Sequence, residues 1–264
     1  MTKEDLDKIK TELSKLPGFS RLLLNLGTYP PPDSFVFEAL FAYVTARSGL
    51  KFQYEINVNP DNDTTVDFVH EEIHKYTLYC ELLSPDLSDT LRAATEPIST
   101  DMEGIKSWEV VLESNHPNEY LRPEAQTIRL QEKLLEKVEK FPAPAHNVFS
   151  VIVVDCSNFH FGHLDPDDCN MVMYGKTKVS ELQEFWDGLP ILGLLNPSLN
   201  KKYADDFRSK ITAVIFIPKL DTDLLSKGFL ILNHHRSHDH LQYFWTTLRQ
   251  YEVFLRLKYL PFPS

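Results

Sequence analysis

The stretch 148-VFSVIVVDCS-157 carries apolar side chains at odd and even positions alike, and an extended chain can bury such a run only where its sheet is covered on both faces. Helices must therefore lie on either side of it. This points to an α/β fold, a mixed central sheet flanked by helices. The segment before it, 124-EAQTIRLQEKLLEKVEKF-141, follows Pro123, stops before Pro142 and gathers Ile128, Leu134, Leu135 and Val138 on one side, the pattern of an amphipathic helix. Further upstream, 66-VDFVHEEIHKYTLYCELLSP-85 alternates as two strands around a charged turn. Strand, helix and strand in this order predict a right-handed crossover.

The rest of the chain supplies elements of the same kinds. Residues 2–16 place Leu6, Ile9, Leu13 and Leu16 at helical spacing behind Thr2, with Asp5 positioned to complete a capping box. Pro30, Pro31 and Pro32 form a rigid connector. Asp33 or Ser34 then caps a helix over 34–49 whose buried stripe is Phe37, Leu40, Phe41 and Val44, closed by Gly49. Strands are predicted at 51–58, 107–114, 211–218 and 228–233, and helices near 89–95, at 178–189 and at 239–254. No repeat or low-complexity linker divides them. The expected organisation is one domain, with an N-terminal helix and connector (1–32), a core (33–157) and a C-terminal extension packing on it (158–264).

Composition removes several classes of function. No run of about 18 apolar residues is present, and the charged, helix-like start is not a secretory signal, so a cytoplasmic chain without a membrane span is expected. Cys80, Cys156 and Cys169 are too few and too scattered for a disulfide framework or a cysteine zinc site. Nine glycines and no Gly-rich phosphate loop argue against a Rossmann cofactor site. The net charge of −11 lacks the overall basic footprint of a nucleic-acid binder, which leaves only a local basic patch for such a partner.

The chemical signal lies in the hairpin. Glu81 stands in the middle of an apolar strand, and a buried carboxylate requires a cation, a proton or a hydrogen-bond donor beside it. Asp67 is on the neighbouring strand, and Glu38 is on the flank of the preceding helix. The pieces 36-VFEALFAYVTARSGLKFQYE-55, 66-VDF-68, 79-YCELLSP-85 and 129-RLQEKLLEKVEKF-141, in this order and ending at the strand acid Asp155, resemble the PD-(D/E)XK nuclease superfamily. The resemblance spans about residues 34–157. It implies a restriction-endonuclease-like core and hydrolysis of phosphodiester bonds in DNA or RNA. Asp67 and Glu81 would then hold Mg²⁺ or Mn²⁺, and Glu38 would support them.

The same resemblance expects a lysine two residues after Glu81, where this chain has Leu83. Related proteins supply that function from the following helix, and Gln131 or Lys133 is the expected substitute. At 100° per residue Gln131 falls on the face toward the sheet, whereas Arg129, Lys133 and Lys137 recur on the far, solvated side. The alternative is a catalytically inactive nuclease-fold module whose surface serves a protein partner or a second copy of the chain. A third reading takes 234-HHRSHDH-240, where His234 and His238 are four apart, as a zinc site. His160 and His163, just past the Asp155 strand, are loop histidines that could meet a ligand.

Overall fold

A computed structural model describes residues 2–27, 30–58, 63–72, 75–85, 99–100, 106–107, 125–157, 164–176 and 191–262. Its strands are β1 (Gln53–Ile56), β2 (Val66–Glu72), β3 (Tyr76–Leu83), β4 (Ser99–Thr100), β5 (Lys106–Ser107), β6 (Val148–Asp155), β7 (Gly175–Lys176), β8 (Ile191–Leu192), β9 (Ala213–Ile217), β10 (Phe229–Leu232) and β11 (Lys258–Tyr259). Seven of them form one mixed sheet in the order β1-β2-β3-β6-β9-β10-β11, while β4 pairs with β5 and β7 with β8. β3, β6 and β9 run parallel at its centre; β2 is antiparallel to its neighbours β1 and β3, and β10 is antiparallel to β9. The fold is α/β, as the apolar run of β6 requires, and every residue from Phe149 to Asp155 is buried.

The helices are α1 (Lys3–Leu13), α2 (Ser20–Asn25), α3 (Asp33–Arg47), α4 (Ala125–Glu136), α5 (Pro166–Tyr174), α6 (Ala204–Lys210), α7 (His238–Leu248) and α8 (Glu252–Leu255). On one face Leu13 of α1, Phe37 and Phe41 of α3 and Phe244 of α7 join Phe68, Leu78, Val151 and Ile215 of the sheet. On the other, Leu130 and Leu134 of α4, Val172 of α5 and Phe207 of α6 join Leu83, Ile152, Val154 and Val214. Fully burying a Leu, Val or Phe side chain contributes about 1.5–3 kcal/mol. The α4 stripe therefore anchors that helix firmly enough to hold a polar cluster at its margin. Among the described residues no helix is long and apolar enough to cross a membrane.

Several local expectations hold and others change. The capping box of α1 forms: Thr2 Oγ1 accepts from the Asp5 amide at 3.2 Å, and Asp5 Oδ2 accepts from the Thr2 amide at 3.1 Å. α3 begins at Asp33 behind Pro32 with no side-chain cap, since the proline already fixes the φ of helix entry and Asp33 lies in the first turn, where its charge suits the dipole. The segment before the prolines contains α2, whose Leu22 is fully buried. The helix expected to run unbroken over 124–141 ends at Glu136 and tightens into a 3₁₀ turn, Lys137–Lys140, ahead of Pro142. The closing helix divides into α7 and α8, and between them the Tyr251 hydroxyl lies 2.5 Å from that of Tyr76. The elements expected near 89–95 and over 178–189, with His160 and His163, lie outside the described residues, as does all of the strand expected over 107–114 except Ser107, which ends β5.

Candidate functional site

Phe68 pairs with Cys80, so the next position along the β2–β3 ladder brings Asp67 level with Glu81 on the face that α4 covers. Like charges directly opposite one another on adjacent strands repel. Both carboxylates are therefore tied into donors. The Asp67 amide donates to Glu81 Oε2 at 3.3 Å, and the Leu82 amide donates to Asp67 Oδ2 at 2.7 Å. Glu81 Oε1 receives two ammonium groups, Lys137 Nζ at 2.7 Å and Lys140 Nζ at 2.5 Å. Lys140 Nζ is also 4.0 Å from Asp67 Oδ1.

The 3₁₀ turn explains why these two lysines converge. In such a turn residues three apart eclipse each other, so Lys137 and Lys140 leave the helix on one side. Advancing 120° instead of 100° at each of four residues swings Lys140 toward the sheet by roughly 80° relative to a continuous α-helix. Their long apolar stems run inward while the ammonium groups reach the acids. Glu81 has 0% side-chain exposure, against 16% for Asp67, 25% for Lys137 and 24% for Lys140. Solvent therefore meets the cluster at Asp67 and the lysines.

Burial first, and then the charge of Glu81, push the Asp67 carboxyl up to about 7, with Lys140 acting in the opposite direction. Burial works to lower the Lys137 pKa, but the charge of Glu81 and its hydrogen bond outweigh this, so the net shift is upward. Glu38 comes from α3 on the opposite face, where its Oε2 accepts from the Tyr54 hydroxyl at 2.5 Å. Its pKa is raised, by burial first and also by the charges of Glu55 and Glu81. It lies within electrostatic reach of the hairpin acids without touching them. Glu55, in β1, adopts a left-handed φ of 52° and pairs with Arg21 at 2.7 Å.

The structure brings Asp67 and Glu81 together and holds Glu38 nearby, but Gln131 and Lys133 are engaged elsewhere. Gln131 does face the protein interior, yet its amide nitrogen donates to the carbonyls of Val172 and Leu192, both at 3.0 Å, where it ties α4 to α5 and β8. Lys133 is 54% exposed and pairs with Glu136 at 2.7 Å, one turn before the 3₁₀ rotation begins. Lys137, read from sequence as part of the solvated stripe, reaches Glu81 together with Lys140. The usable signal was Pro142: a helix approaching a proline commonly tightens in its last turn. Leu83 is 5% exposed within the apolar cluster beneath α4, so a lysine there would be forced into that core. Asp155, at the end of β6, accepts from the Ser84 hydroxyl at 3.0 Å and from the Ser157 amide at 2.9 Å.

Hard carboxylate oxygens suit Mg²⁺ or Mn²⁺, which one or two carboxylates and several waters can hold. Asp67 Oδ1 accepts no hydrogen bond from a described residue, whereas Glu81 would have to exchange an ammonium group for the ion. Among the described residues no group of three or more His, Cys, Asp and Glu side chains forms a metal cage, at the hairpin or in the 234–240 segment. No family model matches the chain, and no curated protein or solved structure matches it either.

Proposed function

We propose that Asp67, Glu81, Lys137 and Lys140 form a nuclease-like centre, on a restriction-endonuclease-like core, that acts on phosphodiester bonds of DNA or RNA. The observation that carries this reading is the convergence of two helix lysines on Glu81, because they supply the positive charge that Leu83 cannot. Mg²⁺ or Mn²⁺, held by Asp67 and Glu81, would supply the Lewis-acid chemistry of such a centre. The Leu82 amide fixes Asp67 Oδ2 and leaves Oδ1 available to the incoming group. Lys140, one-quarter exposed beside both acids, would donate to phosphate oxygens as their charge grows. Glu38 acts at longer range, held in place by Tyr54.

The test is cleavage of single- and double-stranded DNA and RNA with Mg²⁺ or Mn²⁺ by the wild-type protein, Asp67→Asn and Lys140→Met. Metal-dependent cleavage lost in both variants supports the reading. Absence of cleavage by the wild type across all substrates turns the balance to the second reading, an inactive module of the same architecture serving a protein partner or a second copy. One observation favours that alternative: Glu81 is fully buried, with both oxygens already engaged.

A further inference from the structure

A second polar constellation lies away from the hairpin, at the end of the sheet where β6 and β9 begin. A cleft of about 450 Å³ is lined by His146, Ser209, His235, Arg236, Ser237 and His240, together with Pro144 and Ala145. In a chain of net charge −11, none of the described residues lining it is acidic. His240 is 2% exposed, and its bonds fix its tautomer. Nδ1 must donate to the His146 carbonyl, at 3.1 Å. Thr212 Oγ1, already accepting from the Ser150 amide, is left to donate to Nε2 at 3.2 Å. Nε2 is therefore an acceptor, and the Arg236 guanidinium meets it at 3.4 Å while also donating to the Ser209 carbonyl. Burial, and next the charge of Arg236, push the His240 pKa down to about 4, which keeps this ring neutral beside the guanidinium.

Arg236 is thus held by two neutral acceptors, and no described residue lining the cleft supplies a carboxylate to compensate its charge. Five N–H donors belong to a guanidinium, so the two contacts leave donors free. Two further donors line the same space. The His146 ring is stacked on Tyr243 with centroids 5.7 Å apart, and its nitrogens hydrogen-bond to no described residue. The Ser237 hydroxyl caps α7 by accepting from the His240 amide at 3.3 Å, which leaves its proton uncommitted. A fixed guanidinium, an imidazole and a hydroxyl around one cleft, with no acid among its described lining residues, form a recognition set for a compact oxyanion.

We propose that this cleft binds a phosphate group, free or at the end of a small phosphorylated compound, at a site separate from Asp67 and Glu81. Titration calorimetry with inorganic phosphate, adenosine monophosphate and acetate tests it. The expected result is a saturable heat with phosphate, with adenosine monophosphate or with both, which says whether the phosphate is taken free or esterified, and much weaker binding of acetate. Arg236→Gln weakens phosphate binding by about tenfold or more, the loss expected for charge-assisted hydrogen bonds. His146→Gln, at an exposed position, weakens it without the folding risk of changing Arg236. Asp67→Asn leaves it unchanged, which separates this site from the proposed nuclease centre. No saturable heat from either phosphate compound, equal binding of acetate, or phosphate binding indifferent to both Arg236→Gln and His146→Gln would overturn the proposal.

Discussion

Asp67 and Glu81 each accept a backbone amide from the other's strand: the Asp67 amide binds Glu81 Oε2, and the amide next to Glu81, on Leu82, binds Asp67 Oδ2. Two acids are thereby locked side by side on one face of the sheet, and their mutual repulsion is offset by lysines from a different layer of the fold. The arrangement is unequal. Glu81 has no route to water, while Lys137 and Lys140 are each about one-quarter exposed on flexible stems.

That inequality orders the stabilities of the variants. Removing the acid, as in Glu81→Gln, frees two lysines that can swing outward into solvent. Changing both Lys137 and Lys140 to Met strands a carboxylate in the interior, which costs about 3–5 kcal/mol. Either lysine alone replaced by Met leaves the other in place and costs about 1 kcal/mol, less than half of the double change, so the pair is coupled. Urea denaturation of the four variants and the wild type measures this. A double variant no less stable than Glu81→Gln would mean that Glu81 is not buried as described.

In metal-free protein Asp67 introduces a pH dependence of definite sign. Its folded pKa of about 7 lies above the ordinary value of 3.8, so between those values the folded state binds more protons than the unfolded chain. Stability contributed at low pH is lost as pH rises through about 4 to 7 and is level above that. For a shift of this size the loss is at most about 4 kcal/mol. Asp67→Asn, which resembles the protonated acid, should flatten this part of the profile and be more stable than wild type at alkaline pH. Urea midpoints at about pH 4.5, 6 and 8 in the presence of a chelator report it.

The sequence displayed the sheet and the acids because both rest on local patterns. The apolar run of β6 requires burial on two faces, and strand alternation with hairpin pairing places Asp67 and Glu81 on one face. The lysines were hidden because a helical wheel assumes a constant 100° step. The last turn abandons that step, and the error accumulates to its greatest value at Lys140. Gln131 was placed correctly toward the interior, but its partners, the carbonyls of Val172 and Leu192, belong to elements far along the chain. No periodicity announces contacts of that kind.

Gln131→Leu separates a structural role from a chemical one. The change removes two hydrogen bonds, to the Val172 carbonyl, which keeps the Leu194 amide, and to the part-buried Leu192 carbonyl, and should cost about 1–3 kcal/mol. Any Mg²⁺-dependent cleavage, measured well below the melting temperature, should stay at the wild-type level. A variant of normal stability with lost cleavage would return Gln131 to the site.

Competition between ammonium groups and a metal ion for the same oxygens provides the most direct test of the centre. Lys140 Nζ lies 2.5 Å from Glu81 Oε1 and 4.0 Å from Asp67 Oδ1, so an arriving divalent ion meets a positive charge at both ligands. Unit charges about 4 Å apart interact by about 4 kcal/mol at the effective dielectric of a protein margin, and partial exposure of Lys140 reduces this. Lys140→Met should therefore bind Mn²⁺ about tenfold or more tightly than wild type, while Asp67→Asn should give no saturable heat. If the cluster is a nuclease centre, Lys140→Met should also lose cleavage as it gains metal, because the group that stabilises phosphate charge is the group that repelled the ion. Manganese binding unchanged by both substitutions would place the ion elsewhere and leave the four charges as a structural network.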